Sequence, residues 1–103
     1  MIFRRRFADV ITRQLDLFAD EYAVLIDRCE EAERAYDEAE RSDAEERYGD
    51  YLELVETGSE ALAELRDNYA ATLEEDDAQE YEEAFNRAVL KRFRRFALDI
   101  EDA

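Results

Sequence analysis

The stretch FRRRFADVITRQLDLFADEYAVLIDRCEEAERAYDEA, residues 3–39, decides the fold. Its apolar positions are Phe3, Phe7, Val10, Ile11, Leu15, Phe18, Tyr22, Leu25, Ile26, Cys29, Ala32, Tyr36 and Ala39, mostly three or four apart. Such steps keep side chains on one face of a helix, so the spacing predicts one long amphipathic helix over about 3–41.

Working outward, the pattern pauses at Arg41-Ser42-Asp43. Ser42 with Glu45 three residues later is a capping-box signature, which predicts a second helix over about 43–73 carrying Tyr48, Tyr51, Leu52, Val55, Leu62, Leu65, Tyr69 and Leu73. Gly58 sits inside that run, where glycine costs on the order of 1 kcal/mol relative to alanine, so it either bends the helix or lets another helix come close. Four acids follow, Glu74-Glu75-Asp76-Asp77, and then a third apolar stripe at Tyr81, Ala84, Phe85, Ala88, Val89, Phe93, Phe96, Ala97 and Ile100. An aspartate cap with acids in the first turn, and Lys91, Arg92, Arg94 and Arg95 near the other end, match the two poles of a helix dipole over about 77–100. Short connections make neighbouring helices antiparallel. The expectation is an all-α domain over 1–103, either an antiparallel three-helix bundle or a long helical hairpin with a third helix.

Composition agrees. The 103 residues include two glycines and no proline, too few breakers for anything but a few long helices. Histidine is absent, which excludes Ser-His and Cys-His nucleophile systems and the Glu/His di-iron site of ferritin-like bundles. Cys29 is alone, so no internal disulfide or thiolate zinc cluster forms, and its helical spacing reads as a packed thiol suited to a reducing cytoplasm. No run approaches the about 20 apolar residues of a membrane span, and the basic opening leads into acids rather than a signal-peptide core. No metal, cofactor or membrane is expected.

Thirty acids against fourteen bases give a net charge of −16, which opposes sequence-independent attraction to nucleic acid. The bias is uneven: Gln14 to Asn86 carries −21 and the two ends together +5. Thirteen of the bases are arginine, a composition shared by proteins of concentrated salt and by products of GC-rich genomes. Asp9, Glu30, Asp37, Asp43 and Glu83 each precede an arginine by four residues, the favourable order for surface pairs worth about 0.2–0.5 kcal/mol each.

Three constellations bear on function. FRRRF at 3–7 and its echo RFRRF at 92–96 could grip phosphate through guanidinium forks, or pair with the chain's own carboxylates. Equal rise along antiparallel helices sets Arg92 and Arg95 beside Asp27, Glu30 and Glu31, which favours internal pairing. The carboxylates Glu30/Glu33, Glu53/Glu56, Glu60/Glu64 and Glu64/Asp67 share helix faces and could hold magnesium, giving the alternative of a magnesium-dependent all-α phosphohydrolase. All-helical nucleotide pyrophosphohydrolases set such pairs on two neighbouring helices, whereas Glu53, Glu56, Glu64 and Asp67 lie on one. The six tyrosines read as core-boundary residues with hydroxyls reaching water. The same register leaves Ile2, Phe3, Phe7 and Val10 beyond the end of the second helix, an apolar overhang that a homodimer would cover. The expected role is protein–protein contact or homo-oligomerisation, without catalytic activity.

Overall fold

The computed structural model describes residues 6–97, and every regular element among them is helical. The chain is all-α, with α1 (Ala8–Glu21), α2 (Ala23–Asp37), α3 (Ala44–Ala70) and α4 (Glu75–Arg92), then a helical segment over 94–97.

The long first helix is divided at Tyr22, where φ −110° and ψ 24° leave the helical region. Its hydrogen-bond ladder nevertheless runs through: Tyr22 N donates to Phe18 O at 2.9 Å, and Ile26 N donates to Tyr22 O at 2.9 Å. No glycine or proline marks the bend. It coincides with the Tyr22 ring stacking on Phe18, centroids 4.9 Å apart, while Phe18 receives the edges or faces of Phe93 and Phe96 at 5.2 and 5.7 Å. The bend separates two roles, because α1 meets α4 whereas α2 lies along α3.

Facing residues give the directions. Tyr36 meets Tyr48 at one end of the α2–α3 pair, and Phe18 and Tyr22 come beside Ala61 and Leu65 nearer the other, so the two arms run antiparallel. Tyr81 meets Tyr69, Arg66 reaches Asn86, and Phe96 seats on Gly58, so α4 and its extension run back along α3. Phe7, Ile11, Leu15 and Phe18 supply one wall of the core; Leu62, Tyr81, Phe85, Val89 and Phe96 supply the others.

Four local expectations change. The capping box does not form: Asp43 N donates to Glu40 O at 2.9 Å in a tight turn that puts Ser42 outside the helix, and Asp43 is the N-cap without a side-chain hydrogen bond. At α4 the N-cap is Glu74 rather than an aspartate, although Glu75, Asp76 and Asp77 do occupy the first turn. The third helix breaks at Phe93 instead of running on, which turns 94–97 across α3. None of the five i,i+4 acid–arginine pairs closes within 4 Å among the described residues; exposed pairs gain too little to hold two long side chains in one geometry.

Among the described residues the ion pairs within 4 Å engage Asp16, Glu33, Asp67, Asp77 and Glu80, a small part of the acids there. Self-repulsion in the acidic middle is therefore screened mainly by dissolved ions. Added sodium chloride is expected to raise the thermal midpoint followed by circular dichroism; a midpoint that falls would show that local pairs outweigh repulsion.

Candidate interaction surfaces

The predicted interface residues fall in different places. Phe7 is buried within the chain, its ring edge-on to Tyr81 at 5.5 Å and 76°, because the first turns of α4 lie beside α1 where α3 has already ended. Arg6 locks the same end through Asp77 at 2.8 Å. Val10 is half-buried against the core. Ile2 and Phe3 lie outside the described residues, as do Arg4 and Arg5.

The later basic cluster divides in two. Arg92 Nη2 pairs with Asp16 at 2.7 Å, and Arg95 Nη2 with Glu33 at 2.7 Å, while Arg95 Nε donates to the Tyr51 hydroxyl at 3.1 Å. These are carboxylates of the same chain, but not Asp27, Glu30 or Glu31, because the break at Phe93 leaves Arg92 on α1 and carries Arg95 over to α2 and α3. Arg95→Gln is expected to cost about 1–2 kcal/mol and Arg92→Gln under about 1 kcal/mol, since only Arg95 is half-buried and joins three elements. Chemical denaturation of the two single variants checks the order.

Arg87, Lys91 and Arg94 take no ion-pair partner within 4 Å among the described residues. They line adjoining depressions of 870 and 590 Å³ beside α4. The larger is the α1–α4 groove, with Phe7, Ile11, Ala8, Ala84 and Ala88 as its floor and Arg6, Arg87 and Lys91 at its rim. Glu80, 3.9 Å from Arg6, is the acid on its wall.

At the opposite end, α2 and α3 extend beyond the level of Phe96 as a two-helix tip. There Tyr36 and Tyr48 pack at 5.2 Å and Tyr48 and Tyr51 at 6.5 Å. The ladder is only half covered: Tyr36 is 39% exposed, Tyr48 45% and the adjacent Leu52 44%. Residues 34–52 hold seven acids and three arginines, a net of −4.

The carboxylate pairs remain on exposed helix faces, and among the described residues no group of three or more His, Cys, Asp or Glu side chains could hold a metal ion. Cys29 is buried, and burial pushes its thiol above the ordinary value. No helix among the described residues is long and apolar enough to cross a membrane.

Two features had no clear signal in the sequence. Arg66, in the middle of α3, is buried, donating from Nε to Asp67 at 2.8 Å and from Nη1 to Asn86 at 2.9 Å. The tip becomes visible only once Phe96 is seen to seat on Gly58 and Arg95 on Tyr51. Compared with known families, curated proteins and solved structures, the chain matches none.

Proposed function

We propose that this protein acts through protein–protein contact, first of all with copies of itself, and has no catalytic activity of its own. The observation that carries the reading is the two-helix tip, where Tyr36, Tyr48 and Leu52 are exposed together at one end of the α2–α3 pair. Large apolar side chains gathered on one end of a small domain mark a surface that a partner covers. A cytoplasmic setting suits a chain whose one cysteine is a buried free thiol.

The test replaces Tyr48 and Leu52 together by aspartate and follows molar mass by light scattering. Both side chains are exposed, so the helical circular dichroism is expected to stay unchanged while self-association is lost. A variant that associates as the parent does would remove the tip from the interface.

A further inference from the structure

We propose that self-association is head to tail: the acidic α2–α3 tip of one copy seats in the basic α1–α4 groove of the next. The inference rests on the reading above and names its geometry. Its ground is charge complementarity between two ends of one molecule. The tip carries −4, whereas the groove and its extension present Arg6, Arg87, Lys91 and Arg94 against Glu80. Arg6 is already engaged by Asp77, so Arg87, Lys91 and Arg94 are the groove's cations with no ion-pair partner among the described residues.

Symmetric alternatives bring like charges together. Tip against tip opposes −4 with −4 over the same tyrosines, and groove against groove opposes the cations. Only tip into groove pairs opposite signs, and like-charge juxtaposition is what excludes wrong registers at interfaces. Shape agrees. The groove floor includes Ala8, Ala84 and Ala88, whose short side chains leave room for Tyr48 or Leu52 of the incoming tip, over Phe7 and Ile11 beneath. Leu90, exposed beside Lys91, extends the apolar margin. Because the two patches differ, the contact is heterologous, and an open assembly keeps a free tip at one end and a free groove at the other until a ring closes.

A complementation experiment decides it. Arg87→Glu with Lys91→Glu disables the groove, and Tyr48→Asp with Leu52→Asp disables the tip; all four positions are exposed, so both variants are expected to fold, which thermal melts check. Each variant alone is expected to associate at least about tenfold more weakly than the parent, and their equimolar mixture to give a one-to-one dimer and nothing larger. A groove variant that associates like the parent would show a contact that does not use the groove, and a tip variant that does so one that does not use the tip; either overturns the head-to-tail arrangement while self-association stands. Two inactive variants whose mixture also stays monomeric would overturn it equally. A parent that is monomeric throughout would remove self-association itself.

Discussion

Gly58→Ala lowers the thermal midpoint and Gly49→Ala raises it, although the two glycines sit nine residues apart on the same helix. A methyl group on Gly58 would lie 2.8 Å from Cδ1 and Cζ of Phe96 and closer still to its Cε1. That ring cannot yield cheaply: Phe96 is fully buried, with Phe18 and Phe93 against it, and its carbonyl accepts the Ser59 hydroxyl at 3.0 Å. Overpacking at such a site costs up to about 3 kcal/mol, against which the better helix propensity of alanine returns about 1 kcal/mol. The expected net loss is about 2 kcal/mol, or roughly 8–16 °C for a domain of this size. At Gly49 nothing lies within 4 Å of the added carbon, so the same substitution keeps only the propensity gain of about 0.5–1 kcal/mol. Parallel thermal melts check both signs; a stabilised Gly58→Ala would mean that Phe96 is not seated on α3.

Tyr81→Ala has a larger effect still. Tyr81 is fully buried at the point where α4 meets both α1 and α3, with ring neighbours Phe7, Tyr69 and Phe85 at 5.5, 4.7 and 5.8 Å. Removing such a ring leaves a cavity and costs about 3–5 kcal/mol, a large share of the about 5–15 kcal/mol that stabilises a typical domain. The milder Tyr81→Phe separates the ring from its hydroxyl, which donates to Gln14 Oε1 at 2.8 Å. At neutral pH its expected cost is about 1 kcal/mol for the lost hydrogen bond. Burial pushes the phenol up to about 12. The proton is held more tightly in the folded state, so this contribution to stability is complete below the unfolded value of about 10 and is lost as pH rises through 12. Between those limits wild type should lose stability faster than Tyr81→Phe, narrowing or reversing the gap, as denaturant titrations at stepped pH would show. A constant gap would place the Tyr81 hydroxyl in solvent.

The helical class was legible because it is written in residues that act locally: the three- and four-step apolar pattern, two glycines and no proline. The bend at Tyr22 and the break at Phe93 were not, because neither has a breaker beside it and both occur in the cluster formed by Phe18, Phe93 and Phe96, which exists only after folding. Gly58 showed its importance but not its role; close approach rather than a bend becomes evident when Phe96 arrives from the far end of the chain. Register explains the interaction surfaces in the same way. The second helix does stop short of the start of the first, but α4 fills that space and buries Phe7, while the corresponding shortfall appears at the tip, beyond the reach of residues 94–97. Counting residues gives heights along an axis, and it does not tell on which side of two helices the third will lie.

A protein whose exposed surface is covered by copies of itself changes mass with concentration, and sedimentation equilibrium of the unmodified chain over a wide range of concentration reads that mass. The expected weight-average mass rises with concentration above the 12.2 kDa of one chain. A mass that stays at 12.2 kDa from about 1 to 100 μM, where standard interfaces are populated, would contradict it.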